Sequence, residues 1–146
     1  WPIAPLEDNV FALLNTKAGQ VASLHASWTQ WRNMFSFEVY GRDGYVSVDG
    51  LGGSYGTEQV TLGKRAFLEP FREEITVYRG EDRSWADEWQ EFVSAIRSGN
   101  EPLGSGRDGM EAQILADAIY ESARKGKIIK VAAGSGLTAS AVNEPS

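Results

Sequence analysis

The chain has 146 residues, 42% of them hydrophobic, a length and composition that suit one compact domain with a sizeable core and argue against a second full one. Fourteen basic against twenty acidic residues give a net charge of -6 with no lysine or arginine run, which argues against nucleic acid or an anionic membrane as partner. The absence of cysteine excludes a disulfide framework, a thiolate metal site and a cysteine nucleophile, and fits a reducing, cytoplasmic setting.

The first residues, WPIAPLEDNV, include no initiator methionine, basic region or apolar signal core, and no stretch is long enough for a membrane span. The expectation is a domain cut from a longer protein. Residues 9–48 then carry the signals of a meander, with strands expected over 10–16, 21–29, 35–40 and 45–48 and turns at 17–20 and at Gly41-Arg42-Asp43-Gly44. In the first strand Val10, Ala12 and Leu14 alternate with Phe11 and Leu13, so both faces of its sheet are expected to be covered.

His25, the one histidine, shares a strand face with Ser23, Ser27 and Thr29, while Leu24, Ala26 and Trp28 point the other way. A lone histidine seldom makes a metal site, and the reading is a polar residue hydrogen-bonded on a sheet face, with substrate contact or proton transfer as the alternative. The string SWTQWRN follows. Arg32 and Asn33 are expensive to bury unpaired, whereas aromatic walls beside polar forks suit a polyhydroxylated small molecule. Trp28, Trp31, Arg32 and Asn33, with Tyr55, are therefore expected to form either the rim of a ligand site or a subunit contact.

The glycine-rich segment at residues 50–56 is read as a loop or bulge, followed by strands over 58–62 and 75–78. The period then changes to that of a helix: Trp85, Trp89, Phe92, Val93 and Ile96 fall on one face, Ser84 is placed to cap it and Gly99 to stop it. Trp85 and Trp89 are expected to pack this helix on the sheet. The acidic pairs at 73–74, 81–82 and 87–88 read as solvated charge. A second helix is expected over 108–125, with capping-box spacing at Asp108 and Glu111, an apolar stripe of Met110, Ile114, Leu115, Ala118 and Ile119, and Gly126 as its stop. Residues 127–131 read as a last strand and 132–146 as a tail held by packing. Within that tail, residues 134–139 match G-x-G-x-x-A, but only seven residues follow, too few for the helix and strand a dinucleotide fingerprint needs. The fold class is thus α+β, an open, predominantly antiparallel sheet with two helices packed on one face.

In order, SWTQWRN, F-x-F-E-V-Y-G-R-D-G-Y-V-S-V-D-G, G-G-S-Y-G-T-E, the W-x-x-E-x-x-x-F helix with A-I-R-S-G, and D-G-M-E-A-Q-I-L-A-D-A-I-Y-E-S-A-R-K-G-K make the chain resemble the C-terminal domain of the Gfo/Idh/MocA oxidoreductases, the family of glucose-fructose oxidoreductase and inositol dehydrogenase. The likeness covers residues 8–131. It implies a substrate-binding and dimerisation domain at 1–131, a tail at 132–146, and an N-terminal Rossmann domain, absent from this chain, that holds NAD or NADP. The family's glycine fingerprint, E-K-P motif and catalytic aspartate and histidine precede the matched region, so the resemblance places no catalytic residue here and His25 is not assigned that role. By itself the chain is expected to bind no cofactor and to be inactive. The intact protein is expected to transfer hydride between the nicotinamide and a sugar, polyol or related hydroxyl compound as a homodimer through the open sheet face. The alternative is a free-standing carbohydrate-binding or assembly module.

Overall fold

A computed structural model of the protein describes residues 6–68, 72–131 and the backbone of 138–139. In chain order its elements are β1 (Asn9–Asn15), β2 (Val21–Ser27), β3 (Ser36–Tyr40), β4 (Gly44–Asp49), β5 (Gln59–Lys64), β6 (Arg72–Val77), α1 (Ser84–Ser98), α2 (Gly106–Lys125) and β7 (Thr138–Ala139). The fold is α+β with open antiparallel sheets, as the patterning implies. The strands form two sheets, ordered β2-β1-β7 and β3-β4-β5-β6, and the chain divides into two units, Trp1–Thr29 with Ala95–Ser146 and Gln30–Ser94.

The first unit starts from the β1–β2 hairpin, whose turn is closed by Thr16 and Gly19, the glycine at φ 87°, where a side chain is strained. Pairing Phe11 with His25 and Ala12 with Leu24 fixes the register. One face of this sheet meets α2: Leu14 from β1, Ala118 from α2 and Val131 form the buried cluster, with Leu115 and Ile129 against it. On the opposite face the rings of Phe11 and His25 stack at 4.2 Å, and Phe11 remains 73% exposed. The alternation expected for both strands is therefore realised, but the helix covers one face only, and the face of Phe11 and Leu13, expected to be covered as well, is exposed in this chain.

The helix starts two residues earlier than the spacing of Asp108 and Glu111 suggests. Ser105 is the N-cap: its hydroxyl accepts from the Asp108 N–H, and the Asp108 carboxylate accepts from the Ser105 N–H at 2.8 Å. Both residue pairs have the i, i+3 spacing, but only the first satisfies the N–H groups at the true helix start. Gly126 closes the helix in the left-handed region, as expected. Residues 127–131 form no strand. Ile129 and Val131 instead pack into the core, and the Lys127 carbonyl accepts a hydrogen bond from Ser122. The expectation that packing holds the tail falls largely outside the described residues; Thr138 and Ala139 pair with Asn15 and Leu14.

In the second unit the Gly41–Gly44 turn joins β3 to β4 through the Gly41 N–H on the Gly44 carbonyl. Two further strands, β5 and β6, reach beyond the apolar residues into charged ones, because register, not hydrophobicity, extends them: Lys64 lies opposite Arg72 and donates diagonally to Glu74 at 3.4 Å. These charges also suit β6 to the sheet edge. In α1, Trp85 and Trp89, expected to pack this helix on the sheet, are 81% and 67% exposed, with the Trp89 ring leaning on Phe92 at 6.0 Å.

Candidate functional site

The alternation of β2 points Leu24, Ala26 and Trp28 toward α2, and the i, i+3, i+4, i+7 spacing of Ala116, Ile119, Tyr120 and Ala123 turns one helical face back toward them. Between the two lies a groove of about 480 Å³. Val10, Leu24, Ala26 and the α2 aliphatic residues make its floor, and Glu7, Asp8, Asn9, Ser27, Trp28 and Tyr120 its polar and aromatic edge. The three small or aliphatic helix residues, Ala116, Ile119 and Ala123, leave the space, and no Lys or Arg is among the described lining residues.

That edge is held by a connected set of hydrogen bonds. The Tyr120 hydroxyl donates to the Glu7 carboxylate, tying α2 to the segment before β1. Both amide hydrogens of Asn9 are engaged, one by the Asp8 carboxylate at 2.9 Å and one by the Thr29 hydroxyl at 2.8 Å. The Trp28 N–H donates to the Asp8 carbonyl, and the Thr29 N–H to the Ser27 hydroxyl. Backbone and side chains so fix the place at which the Trp28 indole, 84% exposed, leaves the sheet.

The other residues singled out in the sequence lie elsewhere in the chain. Trp31, Arg32 and Asn33 occupy the connection between β2 and β3, and Tyr55 the connection between β4 and β5, where its N–H donates to the Leu51 carbonyl. The boundary between the units falls after Thr29, inside SWTQWRN, so Trp28 belongs to the first unit and Trp31, Arg32, Asn33 and Tyr55 to the second. Only Trp28 of the five lines the groove. Sequence reasoning missed Glu7, Asp8 and Tyr120; the helical spacing around Tyr120 carried a signal, and the two acids carried none that separates them from ordinary surface charge.

The second unit has a polar sheet face of a different kind. Tyr40 donates to Glu38 at 2.9 Å, Tyr45 donates to Glu73 across two strands, and Ser47 donates to Asp49 at 3.0 Å. The two tyrosine rings stack at 5.3 Å, and Tyr45 covers Gly63, where a Cβ would run into its ring. Donation to Glu73, with lesser desolvation and charge effects, pushes the Tyr45 phenol up to about 12. Hydrogen bonds from Ser36 first, then Ser47 and Gln59, hold Asp49 below the usual carboxylate range against the opposing effect of burial.

Among the described residues no group of three His, Asp or Glu side chains could hold a metal ion, and no helix is long and apolar enough to cross a membrane. The glycine-rich segment at 50–56 links two strands, so it does not form the strand-to-helix phosphate loop a dinucleotide requires. Of the G-x-G-x-x-A segment, the described part, Thr138 and Ala139, is strand. Compared with known proteins, residues 2–132 match the Gfo/Idh/MocA family model described as "Oxidoreductase family, C-terminal alpha/beta domain". No curated protein and no solved structure matches the chain.

Proposed function

The chain belongs to the Gfo/Idh/MocA oxidoreductase family as its C-terminal alpha/beta domain, and on that premise we propose that it is the substrate-recognition and oligomerisation half of an NAD(P)-dependent enzyme acting on a sugar, polyol or related hydroxyl compound. The observation that carries this reading is the first unit's groove, which sets an exposed indole and an apolar floor beside carboxylate, amide and hydroxyl groups. A polyhydroxylated ring has the same division, apolar C–H faces and a hydroxyl girdle, so each part of it meets its own kind of surface. Trp28 is assigned to stack on the ligand in this groove, and Trp31, Arg32, Asn33 and Tyr55, which belong to the second unit, are proposed separately as substrate contacts of the intact protein. An arginine fork and a side-chain amide bind hydroxyl or carboxylate groups that an apolar wall does not discriminate.

The nicotinamide, when bound, gives or takes the hydride; the described residues do not fit its dinucleotide, and its binding falls to the family's N-terminal domain. This chain's residues bind and orient the substrate carbon, and the chain alone is expected to be inactive. The face of the first sheet carrying Phe11, Leu13 and His25 is assigned to a second copy, since an apolar pair this exposed gains from burial in a homodimer. Absence of cysteine agrees with a cytoplasmic setting.

The test is cofactor reduction by the full-length protein over a panel of sugars and polyols with NAD and NADP. Turnover with at least one hydroxyl compound, with Arg32→Ala raising KM or lowering kcat/KM, is the expected result. Ligand binding without any cofactor reduction overturns it in favour of a carbohydrate-binding module.

A further inference from the structure

The sequence places glycine directly after aspartate three times, at Asp43-Gly44, Asp49-Gly50 and Asp108-Gly109. Such a step can rearrange without an enzyme, because glycine has no Cβ to shield its nitrogen as it attacks the preceding carboxyl group. The attack needs a carboxyl that is free to turn and an N–H that is not engaged. Two of the steps meet neither condition. The Asp49 carboxylate accepts from the Ser47 hydroxyl at 3.0 Å and from the side chains of Ser36 and Gln59, and the Gly50 N–H donates to the Phe35 carbonyl at 3.1 Å. The Asp108 carboxylate accepts from the N–H and the hydroxyl of Ser105, both at 2.8 Å, while the Gly109 N–H donates to the Ser105 carbonyl at 3.0 Å.

Asp43 meets both. It sits in the β3–β4 turn with its side chain 82% exposed, facing the Arg42 guanidinium at 3.5 Å, itself 88% exposed, a pair that water readily separates. The turn is closed from one side: the Gly41 N–H donates to the Gly44 carbonyl, and the Gly44 N–H meets no acceptor among the described residues.

We infer that Asp43-Gly44 is a site of spontaneous isoaspartate formation, selected from the three by the fold. The Gly44 nitrogen attacks the side-chain carbonyl carbon of Asp43, its proton leaves with the carboxyl OH as water, and a five-membered succinimide closes. Water then reopens the ring, at the side-chain carbonyl to restore aspartate or at the main-chain carbonyl to leave isoaspartate, so the overall change neither adds nor removes an atom. The isomer lengthens the main chain by one carbon between Gly41 and Gly44, and it turns the Asp43 carbonyl, acceptor of the Arg65 N–H at 2.9 Å, into a free carboxylate. Ageing of the protein therefore alters this turn before the other two Asp-Gly steps.

The test is to hold the full-length protein for weeks at physiological pH and temperature, folded and in guanidinium chloride, and to measure isoaspartate at each step by electron-transfer fragmentation of chymotryptic peptides. Cleavage after Tyr45 separates Asp43 from Asp49. In the folded protein isoaspartate is expected at Asp43 at least about tenfold faster than at Asp49 or Asp108, whose bonds must break first. In denaturant the three rates should converge. Asp43→Glu, which would have to close a slower six-membered ring, should abolish the signal from the peptide at 41–45. No isoaspartate at Asp43 in the folded protein, a rate at Asp49 or Asp108 that matches it, an unchanged ratio in denaturant, or a signal that survives Asp43→Glu overturns the inference.

Discussion

The two sheets present polar groups in opposite ways. Across the face of the second, tyrosine, serine and carboxylate side chains meet one another: Tyr40 serves Glu38, Tyr45 serves Glu73 and Ser47 serves Asp49. The first sheet buries an apolar face under α2 and leaves, beside it, a groove whose carboxylates retain lone pairs. A tyrosine that donates to a glutamate occurs on both, Tyr45 to Glu73 and Tyr120 to Glu7, but only the second pair stands at the edge of a groove with an apolar floor and an exposed indole, the setting suited to a ligand. Residue types alone do not separate the two, since both hold tyrosine and glutamate; the concave, partly apolar surroundings of the first do.

The contrast is broken most severely by cutting into the first unit's core. Leu14 is 9% exposed among Ala118 and Val131, and Leu14→Ala should destabilise by about 2–4 kcal/mol in urea unfolding of the chain. A loss under about 1 kcal/mol would mean that α2 does not hold that face. In the second unit, Gly63→Ala should cost about 1–3 kcal/mol, because the new methyl must displace the Tyr45 ring and loosen its bond to Glu73. Combining it with Tyr45→Ala should recover part of that cost. Equal penalties with and without the ring would place the strain elsewhere.

Smaller effects sharpen the picture at the helix cap and at the tyrosine. Ser105→Ala should lower stability by about 0.5–2 kcal/mol at pH 7, as the Ser105 hydroxyl's bonds to the Asp108 N–H and carboxylate are lost while the residue-105 N–H still serves that carboxylate. Hydrogen bonds from the Ser105 side chain, then its backbone, hold the Asp108 carboxyl below its ordinary range. A depressed carboxyl contributes stability that is present above its unfolded pKa and lost as pH falls through the folded one. The penalty of Ser105→Ala should therefore shrink in acid, and a constant difference between pH 7 and pH 2 would refute that linkage. For Tyr45, raised to about 12, the sign is reversed: its contribution is fully present below the ordinary tyrosine range and fades as pH rises through the folded value. In an ultraviolet titration Glu73→Gln should bring one phenol back toward its ordinary range; an unchanged curve would dissociate it from Glu73.

Much of this was legible in order and period. The alternation through Val10, Ala12 and Leu14 and through Leu24, Ala26 and Trp28 sorted the side chains into two faces without singling out the one that meets α2, and glycine chemistry placed the turn at 41–44 and the stop at Gly126. Less legible were features set by partners remote in sequence. Two i, i+3 pairs overlap at Asp108, and only the path of the chain into α2 selects Ser105 as the cap. Lys64 and Arg72 look like loop residues until the register pairs them. Proximity in sequence also misled in one respect: SWTQWRN reads as one cluster, yet the unit boundary falls within it, and the groove around Trp28 is completed by Glu7 from one end and Tyr120 from far along the chain.

Steady-state kinetics of the full-length protein on a neutral polyol or sugar, comparing Trp28→Ala with Tyr45→Phe, bear most directly on whether the groove and not the self-paired sheet meets the substrate. Trp28→Ala should raise KM about tenfold, from loss of stacking on the indole, while Tyr45→Phe leaves KM within about twofold. Equal KM values for the Trp28 variant and the unaltered protein, or a larger effect from Tyr45→Phe, would contradict the assignment of the groove.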